Sequence, residues 1–256
     1  LAMKSPGAVY LTGAALLVVA ALAALAIPRL RPGTAVGPGH RYQWNRRSLA
    51  AWMPLAFGFI DRFTVGVFVS TFTLYLSEVQ HIIPSQRGML MSLFMLPFAL
   101  LCWPIGRLAD RTGWYGLIIA GTIIFGLTFA TYGLVPGALL PLAMIVSGLT
   151  SAMMFAPNLL LVAEFARRGA GEGLFGTFQI AGSFGFLAGP IAGGIAVELT
   201  RQRTGVPAYD AIFIGVGASV VVLGLIAAVV LAPVARAWRE SAHHQASTPV
   251  SDRPPA

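Results

Sequence analysis

Apolar residues fall into seven long blocks separated by short polar stretches, and this alternation predicts the fold. The blocks cover residues 8–27, 49–76, 88–105, 114–135, 138–165, 174–197 and 211–232. At roughly 1.5 Å per residue each can cross a hydrocarbon core about 30 Å thick. None shows the period-two alternation of a membrane strand, and a segment in lipid must satisfy its own backbone groups. The pattern therefore predicts an all-α fold: a polytopic helical membrane protein with about seven transmembrane helices. The first block is preceded only by Lys4 and is too long for a secretory h-region, so it reads as a span.

Composition agrees and narrows the function classes. Residues are 57% hydrophobic and only 10% charged, against about 25% charged in a soluble domain. The net charge of +8 does not indicate nucleic acid, because the basic residues are spread among loops and form no stripe with interleaved aromatics. The single cysteine, Cys102, sits inside an apolar block, which rules out a disulfide framework or a thiolate metal site. No phosphate-cradling loop, metal-spaced ligand set or nucleophile–base arrangement is present, so no enzyme, cofactor or ATP-driven machine is expected. His243 and His244 read as solvated residues rather than metal ligands.

Four regions are expected. Residues 1–28 form a leading helix, and 29–48 a basic cytoplasmic linker rich in Gly, Pro and Arg. Residues 49–234 form a six-helix half-bundle, and 235–256 a disordered cytoplasmic tail. With spans assigned this way, twelve arginines lie on one side of the membrane and four Lys/Arg on the other. The richer side, which holds residues 106–113 and the C-terminus, is cytoplasmic, and the N-terminus of this chain lies outside. Trp103, Trp114 and Tyr115 lie at the cytoplasmic boundary and read as interfacial anchors.

Three groups of residues carry candidate chemistry. Residues 106–113, between two spans, read Gly106, Arg107, Leu108, Ala109, Asp110, Arg111, Thr112, Gly113. Gly106 lets helix ends approach, Gly113 permits a tight turn, and Asp110 can accept from a helix N-terminus. With Arg107 and Arg111 these residues make a candidate conformational latch, extendable by Glu164 or Glu172, which bracket Arg167 and Arg168. The alternative is a pair of positive-inside anchors. In the sixth span Gly185, Gly189 and Gly193 recur every four residues, with Pro190 and Gly194 beside them. Such spacing gives one smooth face for helix packing and a kink at the proline.

The third group is Asp61 with Arg62, near the middle of the second span. A charge at that depth costs at least about 2.5–3.5 kcal/mol on insertion scales. Successive helix residues point about 100° apart, so Asp61 is expected to find its partner on another helix, in a wet cavity or in a missing half. Desolvation favours the neutral form of a carboxyl, which makes Asp61 a candidate proton carrier. A purely structural Asp61–Arg62 pair is the alternative. Asn158, next to Pro157, and Gln179, with Thr177 and Ser183, are candidate cavity-lining residues. Phe57, Phe63, Phe68 and Phe72 read as core or lipid contacts.

The 106–113 stretch resembles the loop signature Gly-x-Leu-Ala-Asp-Arg-x-Gly of the major facilitator superfamily of secondary transporters. It departs from that signature at Trp114 and Tyr115, where two basic residues usually follow. The 185–194 stretch is similar to the Gly-x-x-x-Gly-Pro-x-x-Gly-Gly motif found in the family, especially in its antiporters. The resemblance implies a helical transporter moving a small organic solute by alternating access, coupled to protons, with efflux by antiport ahead of uptake by proton or sodium symport. A non-transporting scaffold or sensor on the same fold is a third reading. Family members usually have twelve helices, so this chain is expected to be a fragment that fits helices six to twelve and works with a missing N-terminal half. A rival register makes the last six spans an N-terminal half. The resemblance also implies an integral protein of the bacterial inner (plasma) membrane, with the lipid bilayer, the solute and protons as its partners and no nucleic acid.

Overall fold

The computed structural model describes residues 49–167, 173–205 and 208–247, together with Ala15 and Val18. The chain divides into two units, Leu1–His40 and Arg41–Ala256. Apart from Ala15 and Val18, the expected leading helix of residues 1–28 and the linker of 29–48 lie outside the described residues.

Among the described residues of the second unit six apolar helices run in order: α1 Leu49–Glu78, α2 Pro84–Thr112, α3 Trp114–Ala130, α4 Leu140–Phe165, α5 Gly173–Thr204 and α6 Tyr209–Ser247. Five are long and apolar enough to span a bilayer, and α3 is a shorter apolar helix. The span expected at 114–135 is cut short because the chain turns after Ala130. Leu134 and Val135 donate their N–H groups back to Thr131 O, and a 3-10 turn at Gly137–Leu139 leads into α4. The helix α6 continues through Ser247, so the region expected to be a disordered tail from residue 235 begins as helix. The physical reason is that nothing in 235–247 breaks a helix once Pro233 is passed.

Punctuation follows local chemistry. Pro84 occupies the first turn of α2, where a missing N–H is no loss. Gly113 alone separates α2 from α3, with φ +92° and ψ +146°, a conformation that side chains with a Cβ avoid. Gly205, at φ +75°, closes α5. Within α1 the segment Phe68–Phe72 is wound as a π-helix, and the Ser70 hydroxyl donates to Gly66 O and Val67 O, each at 3.1 Å.

The most extensive pairings are α1 with α5, α2 with α4, and α3 with α6, followed by α3 with α4. Exchanging the first three helices for the last three maps α1–α5 onto α4–α2 and leaves α3–α6 unchanged. Since α1 and α4 run in opposite directions, the unit has the form of an inverted three-helix repeat. Two apolar cores fill it. One, toward the α1–α2 connection, gathers Phe68, Phe72, Tyr75, Phe94, Phe129, Tyr132 and Phe213. The other, toward Gly113, gathers Phe57, Trp114, Ile118, Met154, Phe165, Phe178 and Trp238.

Candidate functional site

Between these two cores the buried side chains become polar. Asp61 and Thr64 on α1, Thr122 on α3, and Ser147, Thr150 and Ser151 on α4 all lie in that interval. Three of the six have hydrogen-bond partners among the described residues: Thr122 donates to Ile118 O at 2.7 Å, Thr150 to Val146 O at 2.9 Å, and Ser147 Oγ accepts from the Tyr132 hydroxyl at 2.6 Å. Thr64 Oγ1, Thr71 Oγ1 and Asn158 Oδ1 are buried and have no hydrogen-bond partner among the described residues. A buried polar atom left unmade costs about 1–3 kcal/mol, so such a group is kept for a reason other than stability.

Asp61 is 8% exposed, and its nearest described cation is Arg62. Arg62 Nε lies 3.7 Å from Asp61 Oδ2, an ion pair too long to be a hydrogen bond. The expectation that adjacent helix residues would not pair is therefore corrected. The arginine stem is long enough to curl back across the 100° between them. The Arg62 guanidinium carbon stands 5.2 Å above the Phe155 ring of α4. The stem passes α5 at Gly182, where an added methyl would come within 3.2 Å of Arg62 Cγ. Three helices thus position this one side chain.

The glycine ladder of α5 forms the seam with α1. A methyl at Gly189 would lie 2.9 Å from Gly66 Cα, one at Gly185 3.0 Å from Phe63 N, and one at Gly193 2.6 Å from Thr71 Oγ1. Pro190 packs reciprocally, its Cδ 2.7 Å from a methyl placed at Gly66. A methyl at Gly194 would meet nothing among the described residues, so Gly194 takes no part in the seam with α1.

At the Gly113 end the structure separates the latch candidates. Gly113 makes the tight turn, its N–H donating to Ala109 O at 2.9 Å. A methyl at Gly106 would meet open space, so the close approach expected there is not made among the described residues. Asp110 and Arg111 are exposed, and no hydrogen bond reaches either side chain among the described residues. Arg107 instead lies over Trp103, 4.6 Å from its ring centre, while Glu164 pairs with Arg167, just past the end of α4. Arg168 and Glu172 lie outside the described residues.

The expected interfacial aromatics also divide. Trp103 is 68% exposed, as an anchor should be. Trp114 is 7% exposed and meets Trp238 edge to face at 5.2 Å, and Trp238 meets Phe165 at 5.5 Å. The Tyr115 hydroxyl donates to Ala228 O at 2.6 Å. These two residues tie α3 to α6 rather than to the bilayer surface, which corrects the reading from position alone. Phe57, Phe68 and Phe72 are core, and Gln179 and Ser183 are exposed on α5.

Sequence reasoning missed the cluster at the opposite end. Arg201 Nη2 donates to both oxygens of Glu78, each at 2.9 Å, and the Tyr209 hydroxyl donates to Glu78 Oε2 at 2.8 Å. This clasp joins the ends of α1, α5 and α6. The residues are 123 and 131 positions apart in sequence, and no local pattern announces such a meeting.

A crevice beside Thr64, lined by Phe68, Phe94, Phe129 and Tyr132, has no room for a water molecule. The exposed side of Arg62 is therefore the better candidate for meeting a solute. Among curated proteins none matches the chain. The sequence profile of the Major Facilitator Superfamily matches residues 55–255, a stretch that includes Asp61, the Gly113 turn, the glycine seam and the clasp. With six apolar helices in an inverted repeat and that match over most of its length, the chain belongs to the major facilitator superfamily, whose members are membrane-embedded secondary transporters.

Proposed function

We propose that this unit is one half of a proton-coupled transporter that moves a small organic solute by alternating access, with Asp61 as the proton site. The observation that carries this reading is a carboxylate in the middle of a membrane-spanning helix, buried and held among the described residues only by a 3.7 Å ion pair. A weak hold on an expensive charge allows protonation to change the site without dismantling it. The glycine seam supports the mechanical side, since two helices in backbone contact slide or rock as one body against the remainder. In this reading the Gly113 turn, with Asp110 and Arg111 exposed beside it, serves as a latch whose counterpart lies in a second helical bundle.

Two directions follow from the chemistry of the solute. Efflux by antiport is the direction to which the 185–194 stretch points by resemblance, and it requires a solute that competes with the proton for Asp61. Uptake by symport is favoured by a separate observation, the exposure of Arg62 in front of Asp61. Full-length protein reconstituted in vesicles with a pH dye inside tests both. Solute added outside should alkalinise or acidify the lumen, and the sign separates antiport from symport. Asp61→Asn should abolish the pH change while downhill solute exchange continues. Undiminished proton movement in that variant would falsify the assignment.

A further inference from the structure

Resting on Asp61 and Arg62 as the transport site, we infer that Arg62 is the solute anchor and that the solute is a small organic carboxylate. The side chain of Arg62 is 40% exposed and that of Asp61 only 10%, so whatever enters from the open side meets the cation first. A cationic solute would be repelled there before reaching the carboxylate, and an anionic one is drawn in.

The guanidinium is placed but not used up. Phe155 lies beneath its Cζ and Gly182 leaves room for its stem, so the head rests on one ring while the stem passes a neighbouring helix. Yet its one described ion pair, to Asp61 at 3.7 Å, is not a hydrogen bond, and no other described residue accepts from it. Arg62 sits 13 residues inside α1, about 20 Å along the axis from the helix start, too far for the side chain to reach the headgroup layer. A guanidinium offers a planar fork of donors that matches the two oxygens of a carboxylate. A solute carboxylate would fill the donors that the protein leaves open.

Groups for the rest of the solute lie one helical turn away. Gln179, three residues before Gly182, is exposed and offers both a donor and an acceptor. Asn158, three residues after Phe155, is 3% exposed and keeps Oδ1 without a partner among the described residues. Gln179, exposed one turn from the glycine that the Arg62 stem passes, suits a carboxylate that also carries a hydroxyl, amide or carbonyl group.

Thermal unfolding of the purified full-length protein in detergent tests this without any proton measurement. The probes are benzoate, lactate and succinate as carboxylates, with choline and tetraethylammonium as cations. At least one carboxylate should raise the unfolding midpoint in a concentration-dependent way, and neither cation should. Arg62→Gln should keep the ligand-free midpoint and weaken that carboxylate on the order of tenfold or more, with Arg62→Lys intermediate. If Arg62→Gln does not fold, Gly182→Ala serves instead, since its methyl presses only on the flexible arginine stem and should displace the fork. Stabilisation by a cation, carboxylate binding unchanged in Arg62→Gln, or no shift with any probe overturns the inference. Because binding is read apart from proton flux, loss of coupling in Asp61→Asn leaves this result standing, and the reverse also holds.

Discussion

Gly189 and Gly194 are five residues apart in one motif, and the structure gives them opposite roles. At Gly189 a methyl would stand 2.9 Å from both Gly66 Cα and Val67 N, backbone atoms that have nowhere to go. At Gly194 it would meet nothing within 4 Å among the described residues. Gly189→Ala should therefore part α1 from α5 at an overpacking cost of about 1–3 kcal/mol, read as a lower unfolding midpoint. Gly194→Ala should leave the midpoint where it is. If both substitutions destabilise equally, the seam is not the source of the motif's glycines. The periodicity of 185, 189 and 193 was legible in the sequence because steps of four keep to one helix face. The idleness of Gly194 within this unit was not, because the spacing cannot tell which face another helix covers. Trp114 shows the same limit: its position suggested the bilayer surface, and only Trp238 arriving from α6 made it core.

At the scale of elements, the existence of the spans was legible and their ends were not. Block 88–105 became the helix Pro84–Thr112, because helix formation continues through Arg107, Asp110 and Arg111 even where an apolar count stops. The π-wound segment Phe68–Phe72 had no sequence signature, since Ser70 back-bonds in ordinary helices as well. Beyond that segment, α1 ends in the clasp with Arg201 and Tyr209. An exposed ion pair contributes little by itself, while the hydrogen bond from Tyr209 survives loss of the charge. Glu78→Gln should therefore remain close to the parent in hydrogen exchange at the ends of α5 and α6. Glu78→Leu, which removes both contacts, should speed that exchange. Equal exchange in the two variants would mean that the clasp does not hold these ends together.

For the molecule as a whole, sidedness is the expectation that decides which face the Gly113 turn and the clasp present to the cytoplasm. Alternation along six helices puts the Gly113 turn, the start of α5 and the end of α6 at one face, and the clasp at the other. Twelve arginines assigned by sequence to the first face, against four basic residues on the second, lead to the expectation that the first face is cytoplasmic. The sole cysteine, Cys102, can be replaced by serine to give a silent background. Into it Thr112→Cys and Gln202→Cys each place a thiol at an exposed helix end, one on either face. A membrane-impermeant maleimide should label Gln202→Cys in intact cells, and Thr112→Cys only after permeabilisation. The reverse pattern would turn the bundle over, so that the clasp faces the cytoplasm. The Asp61–Arg62 site would survive that inversion, because a group near the middle of a span is equally far from both faces. The direction of transport would survive it as well, because antiport or symport, together with the proton gradient, sets that direction whichever face of the bundle is cytoplasmic.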